Sequence, residues 1–252
     1  MRRFTIELTT FYVLAIIFVA TLIRSAIGFG EALVAVPLLA AVVPVRQAAP
    51  LAVLMSVTVA AMVVVQDWRK IHVRSAAWLL LPTLAGIPLG LLLLAHGPQR
   101  LVKIVLAVLI LAFAAYSLAG RMPIRLERDS RPWLLACGFV AGVLGGAYGM
   151  NGPPLVIYGA MRRWTAQHFR ATLQAYFLPA SIVGMAGYWL AGLWTPAVTH
   201  YYLLSLPVAI PAVFVGRLVN HRLSGDTFAK CVYTGLCGVG ALLLIEAFNL
   251  KR

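Results

Sequence analysis

The sequence predicts an all-α polytopic membrane protein with eight to ten membrane segments, arranged as two homologous halves that include short, broken or re-entrant helices. The composition, the length of the apolar runs and their matching order in the two halves support this prediction. Hydrophobic residues make up 62% of the 252 positions and charged residues only 11%, with a mean hydropathy of +0.92. A soluble domain carries about 25% charged residues, so this chain is too apolar to maintain a soluble surface.

The apolar runs are long enough to cross a bilayer as helices. The longest charge-free run has 46 residues, from Ala171 to Gly216, and one transmembrane helix needs about 20. Such continuous runs favour helices over the alternating strands of a membrane barrel. The first run follows two arginines but no cleavage site, so it is interpreted as a membrane helix and not a signal peptide. The predicted long segments are 8–26, 48–65, 76–95, 101–119, 133–147, 172–191, 200–219 and 228–248, and the short ones are 32–45 and 153–161.

The chain divides into two similar halves at its widest hydrophilic interval. We predict a first membrane repeat at 1–120, a connecting loop at 121–132 and a second membrane repeat at 133–252. Each half has the order long, short, long, long, long.

Paired residues support the duplication. Glu31 and Asn151 lie 120 positions apart, and the offset grows to 126 between Gly90 and Gly216. Loop insertions within a duplicated unit produce such a slowly growing offset. An internal repeat is therefore predicted.

The topology is predicted from Lys and Arg, which favour the inner side of a membrane. If all ten segments cross and the N-terminus lies outside, the inner intervals hold 13 of the 21 Lys and Arg residues. If only the eight long segments cross and the N-terminus lies inside, the split is 11 to 9, with Arg24 set aside in both cases. The first arrangement fits better, and its five-crossing repeats are antiparallel, as in many secondary transporters.

A glycine-rich interruption precedes each short segment. The interruptions are 27–39 (IGFGEALVAVPLL) and 142–158 (GVLGGAYGMNGPPLVIY). Glycine permits conformations that unwind a helix, and the free N–H groups at a half-helix start attract anions. Two such ends that converge predict one central anion site, whereas close helix packing through the glycines is the alternative. The substrate-binding candidates among these glycines and prolines are Gly28, Gly30, Gly149, Gly152 and Pro153.

Glu31 is the candidate for proton coupling, and Glu31 and Asn151 are further substrate-binding candidates. A carboxylate in an apolar membrane segment is costly and points to function, and burial favours its protonated form. Two alternatives are open: Glu31 pairs with Arg24, seven residues earlier, or it caps the half-helix that follows. The counterpart Asn151 is a neutral donor and acceptor, so the halves are expected to divide coordination and ionisable chemistry.

Polar residues also follow the two short segments. Gln47 and Gln167 lie 120 positions apart, and Arg170 comes three residues after Gln167. Amides and an arginine at a helix entrance suit an oxyanion, which a guanidinium binds with a bidentate fork. All three are therefore substrate-binding candidates. The alternative is an arginine-rich loop that faces lipid phosphates at the inner surface.

Several classes of protein are disfavoured. The net charge is +14, and the Lys and Arg residues that carry it lie between the apolar runs. They form no basic stripe with interleaved aromatic residues, so no nucleic-acid partner is predicted. The sequence has no HExxH, GxSxG or CxxC motif and no metal-ligand spacing of histidines. Neither an enzyme nor a bound metal or cofactor is therefore predicted. The phosphate loop GxxxxGKS or GxxxxGKT is missing too, which favours an ion gradient over ATP as the energy source.

The interruptions and their flanks resemble the sulfite exporter TauE/SafE family of membrane proteins. The matching stretches of the first half are IGFGEALVAVPLL, RQAAPLAVLMS and DWRKIHVRSAAWLLLPTLAGIPLG. Those of the second half are GVLGGAYGMNGPPLVIYGAMRRW, FRATLQAYFLPAS and LAGLWTP, and the order is kept over nearly the whole chain. The family pattern often has a glycine run after the first interruption, where this chain has Glu31 and Ala32.

The resemblance implies a secondary transporter of a sulfur-containing anion, such as sulfite, sulfoacetate or another organosulfonate, in the plasma membrane of a bacterium. It also implies an ion or proton gradient as the energy source. The expected partners are a small anionic substrate and the lipid bilayer. A passive anion channel and a transporter of another small organic anion remain alternatives, and the sequence predicts neither the direction of transport nor the oligomeric state.

Overall fold

The computed structural model describes residues 2–27, 30–67, 73–120, 126, 130–163, 166–222 and 225–249. In these ranges the protein consists of ten α-helices and contains no strand. The predicted all-α fold, with eight long segments and two short ones, is therefore confirmed in the described part of the chain. The helices are α1 (Arg2–Ile27), α2 (Glu31–Ala40), α3 (Val45–Asp67), α4 (Val73–His96), α5 (Gln99–Leu118), α6 (Arg131–Tyr148), α7 (Gly152–Met161), α8 (Ala166–Leu190), α9 (Pro196–Arg222) and α10 (Gly225–Asn249).

Several of the long helices have the length and composition of membrane spans. Large apolar side chains also point outward, since Phe11, Leu81, Leu190 and Phe248 each expose more than half of their surface. Soluble monomers rarely display apolar surface on this scale. The prediction of a polytopic membrane protein is therefore confirmed. The apolar stretches long enough to cross are Glu7–Ser25, Val45–Met62, Trp78–His96, Gln99–Leu118 and Pro196–Gly216.

The two short helices, α2 and α7, are half-helices. Each has ten residues, a length of about 15 Å, whereas the hydrocarbon core of a bilayer is about 30 Å thick. α2 begins after Gly30, whose φ is +94°, and α6 ends at Gly149, whose φ is +68°. Positive φ values of this size favour glycine because a Cβ would be strained there. A helix break therefore lies within each predicted interruption, with a glycine at the turning point. The breaks are shorter than the predicted ranges 27–39 and 142–158, because α2, α6 and α7 cover most of those residues.

Helices from the two halves of the chain pack against each other. α4 packs along α6, α1 along α9 and α5 along α10, while α3 contacts α8. These pairings are unchanged when α1–α5 are exchanged, in order, for α6–α10. An internal duplication would produce this pattern. The duplication itself, the boundaries of the two repeats and the number of crossings stay predictions.

The contact between α4 and α6 depends on glycine. Gly86 and Gly90 of α4 and Gly142 and Gly146 of α6 line it, and a Cβ at any of the four would overlap backbone atoms of the other helix. In the counterpart pair, a Cβ at Gly216 of α9 would meet the backbone of α1. Small residues allow such close approach between membrane helices. Close packing, the alternative considered for the glycine-rich interruptions, therefore accounts for these five glycines.

We expect Gly90→Ala to destabilise the protein, because the added methyl group overlaps the backbone of α6. Overpacking of this kind costs about 1–3 kcal/mol. The matched control is Gly238→Ala in α10, where an added Cβ meets nothing within 4 Å and alanine is the better helix former. Size-exclusion chromatography of the detergent-solubilised variants after a heat ramp measures the difference. Equal melting of the two variants would contradict the importance of close α4–α6 packing.

Candidate functional site

The N-terminal ends of α2 and α7 meet at one internal cavity. Its volume is about 30 Å³, which is room for about two water molecules. α1, α2, α3, α7, α8 and the α6–α7 interruption contribute to the lining. The two predicted interruptions therefore lie at one place in the fold. The lining residues are Arg24, Gly30, Glu31, Ala32, Leu33, Ser56, Gly149, Met150, Asn151, Gly152, Pro153, Phe177 and Ser181.

The start of α2 presents backbone donors to this cavity. The first hydrogen bond of the helix runs from the N–H of Val34 to the carbonyl oxygen of Gly30, at 3.1 Å. The N–H groups of Glu31, Ala32 and Leu33 therefore precede the helical ladder, and all three residues line the cavity. A Cβ at Gly30 would meet nothing within 4 Å. Its positive φ, and not crowding, is thus the reason for glycine there.

The start of α7 is built differently. Pro153 and Pro154 follow the first residue of the helix, and proline has no N–H to donate. Asn151 precedes the helix, is 6% exposed, and makes no capping hydrogen bond to the described residues of α7. Its amide lies back against α6, where a Cβ at Gly145 would be 2.7 Å from Nδ2 of Asn151. The absence of a side chain at Gly145 thus leaves room for the amide at the cavity edge.

Gly149 forms the turn between α6 and α7. Its φ is +68°, and its N–H donates to the carbonyl oxygen of Gly145 at 2.8 Å. A Cβ at Gly149 would lie 2.6 Å from Cγ2 of Val53 on α3. Both the backbone conformation and the proximity of α3 therefore require glycine at this position.

Glu31 forms a buried ion pair with Arg24. Nη1 of Arg24 lies 2.6 Å from Oε2 of Glu31, and the two side chains are 5% and 1% exposed, respectively. Thr21 donates a 3.2 Å hydrogen bond to Oε1 of the same carboxylate. Of the alternatives considered for Glu31, pairing with Arg24 is the one that the structure contains. A role in proton coupling stays a prediction.

Arg24 also connects α1 to α3. Its Nη1 donates to Oγ of Ser56 at 2.6 Å and lies 3.4 Å from the carbonyl oxygen of Ser56. Its Nη2 is buried and has no hydrogen-bond partner among the described residues. A guanidinium carries five N–H donors in a planar fork. Part of that fork is therefore buried without an acceptor, in a residue that lines the cavity.

The two charges lie at helix ends that favour them. Arg24 is in the last turn of α1, and Glu31 is in the first turn of α2. The helix dipole favours a cation at a C-terminus and an anion at an N-terminus, by about 0.3–1 kcal/mol each. The pair as a whole is neutral, which reduces the cost of burying both charges.

Buried tyrosines hold α6 in place near the cavity. Tyr188 of α8 donates to the carbonyl oxygen of Gly145 at 3.1 Å. Tyr176, also on α8, shares a 2.7 Å hydrogen bond with the hydroxyl of Thr83 on α4. That hydroxyl lies 2.9 Å from the carbonyl oxygen of Gly138 on α6. The helix that leads into the second interruption is thus fixed by α4 and α8 together.

The cavity brings together a majority of the predicted site residues. Gln47 is not among its lining residues. It lies nine residues before Ser56 on α3, which is about 13 Å along the helix axis. The structure thus places Gln47 outside the cavity, because the entrance of α3 is far from its middle. The predicted residues that line the cavity are Gly30, Glu31, Gly149, Asn151, Gly152 and Pro153.

Three further predicted residues do not enter this description of the cavity. Gly28 lies outside the described residues. Gln167 and Arg170 belong to the first turns of α8, 14 and 11 residues before Ser181, and their side chains lie outside the described part of the chain. The separation from Ser181 is about 16 Å or more along the helix axis. A role for these three residues in substrate binding stays a prediction.

The sequence pattern did not point to Ser56 and Ser181, and it suggested Arg24 only as a partner of Glu31. One signal for the serines was present. They lie 125 positions apart, within the range of 120 to 126 that separates the other paired residues. For Arg24, the signal was an arginine within an apolar run, which is itself a mark of function in a membrane segment.

Comparison with known proteins agrees with these features. A family model described as sulfite exporter TauE/SafE matches residues 13–243, which include both interruptions and the whole cavity. The probable sulfite/organosulfonate exporter TauE of Cupriavidus necator is 26% identical over 183 residues, covering 73% of this chain and 70% of the relative. No solved structure gives a significant match. With a family model that matches most of the chain, and a helical membrane fold around two broken helices, this protein belongs to the sulfite exporter TauE/SafE family.

Proposed function

We propose that this protein is a secondary transporter that moves a sulfur-containing anion, such as sulfite, sulfoacetate or another organosulfonate, across the inner membrane of a bacterium. Membership of the sulfite exporter family and the likeness to a probable sulfite/organosulfonate exporter support this substrate class. The observation that carries the proposal is the meeting of the α2 start, Asn151 and Arg24 at one buried cavity. Coupling to an ion or proton gradient, with Glu31 as the proton-binding group, is part of the proposal.

The donors around the cavity suit an oxyanion. The N–H groups that start α2 carry a partial positive charge. The guanidinium of Arg24, whose charge Glu31 offsets, adds charge-assisted donors, and the amide of Asn151 and the hydroxyls of Ser56 and Ser181 are neutral donors. A sulfite or sulfonate group spreads its negative charge over three oxygens. Such a group can accept hydrogen bonds from several helices at once.

The cavity is small compared with the proposed substrate. A volume of about 30 Å³ holds about two water molecules, and a sulfonate, with its sulfur, three oxygens and carbon, is larger. Binding of the anion in this cavity therefore requires the lining helices to separate, a conformational change that alternating access in a carrier supplies. A passive channel is the alternative, and counterflow distinguishes the two.

We expect sulfonates to stabilise the purified protein against heat, and Asn151→Ala to reduce that effect. A ligand at 100 times its Kd stabilises the native state by about 2.7 kcal/mol. Loss of a hydrogen bond to a charged group costs about 1.5–3 kcal/mol. A thermal-shift screen with sulfite, sulfoacetate, methanesulfonate, sulfate and carboxylates measures both effects.

The matched control for this screen is Asn249→Ala at the exposed end of α10, which should keep the full shift. A shift with carboxylates alone would favour a transporter of another small organic anion. No shift with any anion, in a folded and monodisperse protein, would contradict the proposed anion site.

We also expect counterflow in proteoliposomes. When the lumen holds an excess of unlabelled substrate anion, external labelled anion should accumulate transiently above its equilibrium level, because a carrier that returns loaded exchanges one anion for another. The measurement is the time course of label in the lumen, with protein-free liposomes as the control. A monotonic rise without an overshoot, and flux that does not saturate with concentration, would support the channel alternative.

A further inference from the structure

The guanidinium of Arg24 is only partly used in the structure. Nη1 contacts Glu31 and Ser56, whereas the buried Nη2 has no hydrogen-bond partner among the described residues. A carboxylate that used both prongs of the fork would satisfy both nitrogens. Glu31 instead shares its second oxygen, Oε1, with Thr21. The contact is thus a one-pronged ion pair, and Nη2 is a buried donor without an acceptor in a residue that lines the cavity.

Charge decides what happens when an anion reaches this donor. With Arg24 and Glu31 both ionised, the described part of the cavity lining is neutral. A bound anion would bring the net charge to minus one in a buried place, where an uncompensated charge is strongly disfavoured. A proton on Glu31 removes that charge. The anion then takes the place of the carboxylate beside Arg24.

No other described charged group is placed to compensate the anion. The described polar side chains that face the pair are hydroxyls and one amide. On the helices packed around it, the other described charged side chains lie elsewhere: Glu7 is exposed near the start of α1, and Arg162 at the end of α7 donates to the carbonyl oxygen of Leu126. Arg46 of α3 donates to the carbonyl oxygens of Leu94 and Gly97, and Lys103 of α5 pairs with Glu246 of α10. The facing polar side chains are Thr21 of α1, Ser56 of α3, Asn151 before α7 and Ser181 of α8.

We propose that Arg24 is the residue that holds the transported anion and that Glu31 is its exchangeable counter-ion, so that one proton binds with each anion. This deepens the proposed transport function, on which it rests, by naming the coupling ion and the groups that couple it. Glu31 gains an O–H bond from a solvent proton, and its contact with Nη1 of Arg24 breaks. Thr21, 3.2 Å from Oε1, accepts the new hydrogen bond, since a hydroxyl both donates and accepts. An oxygen of the anion then accepts hydrogen bonds from Nη1 and Nη2 of Arg24.

This exchange keeps the site neutral in both halves of a transport cycle. The empty site holds the Arg24–Glu31 pair, and the loaded site holds Arg24, a monoanion and a protonated Glu31. The conformational change can therefore take place with the site empty or loaded, and in neither case is a net charge buried in the low-dielectric interior. A monoanion and its proton move together, so the direction of net transport follows the anion gradient and the pH difference.

The test is calorimetric titration of the purified full-length protein with methanesulfonate, whose own charge is constant in the neutral range. Titration in Bis-Tris and in Tris, which contain no sulfonate, gives the number of protons bound from the dependence of the heat on buffer ionisation. We expect one proton to be taken up per anion, with a Kd that rises by up to about tenfold per pH unit. In Glu31→Gln, proton uptake should be absent and the Kd independent of pH.

The matched control is Glu246→Gln, which removes the carboxylate of the other described ion pair and should leave the proton count at one. Methanesulfonate binding without proton uptake in the wild type, or a pH-dependent Kd that persists in Glu31→Gln, would overturn the exchange and leave the transport function standing. No binding of any anion to the wild type at any pH would contradict the transport function as well.

The role of Arg24 is tested in a background that keeps the site neutral. Arg24→Gln alone leaves a buried carboxylate without its partner, so the change is made together with Glu31→Gln. We expect the double variant to bind methanesulfonate about 100-fold more weakly than Glu31→Gln, with an unchanged size-exclusion profile. Equal affinity of the double variant and Glu31→Gln would show that Arg24 does not hold the anion.

Discussion

A guanidinium and a carboxylate lie 2.6 Å apart where α1 ends and α2 begins, and the rest of the site is arranged around that contact. Removing two ions from water costs several kcal/mol each, so the fold must compensate them. It does so with opposite charge, with the dipoles of two helix ends and with hydroxyls from Thr21 and Ser56. The two helix ends would not be available in an unbroken helix. The interruption before Glu31 is therefore the structural condition for a buried charge.

The two half-helix starts contribute different chemistry to the cavity. α2 offers the N–H groups of its first turn together with an ionisable side chain, Glu31. α7 begins with Gly152 followed by two prolines, and its polar contribution is the amide of Asn151. An amide stays neutral at every physiological pH, so it can bind an oxyanion without competing for protons. In a site of this kind, only the half of the chain with Glu31 can gain or lose a proton. The half with Asn151 would fix the position of the ligand.

The sequence predicted the helical class, both interruptions and the polar residues Glu31 and Asn151, because each of these leaves a local signal. Charged residues are rare in apolar runs, and glycine marks a backbone that cannot stay helical. The distance of a residue from the end of its helix leaves no such signal. Gln47 is polar and has a counterpart at the same offset, yet it lies nine residues before the cavity-lining Ser56 on α3. The contacts of Arg24 with Ser56, and of Asn151 with Gly145, depend on how helices meet in space.

The proposed exchange would also link substrate entry to the protonation of Glu31. A sulfonate exceeds the cavity of about 30 Å³, so in the proposed transport α2 and α7 separate before the anion enters. α6, which leads into α7, is fixed to α4 by glycine packing and to α8 by Tyr188. α2 is shorter than α6. Its Glu31 binds Arg24 of α1, and Arg24 also donates a hydrogen bond to Ser56 of α3. In the proposed exchange, protonation of Glu31 breaks its contact with Arg24. The same step would free Arg24 for the anion and remove a contact that holds α2 against α1.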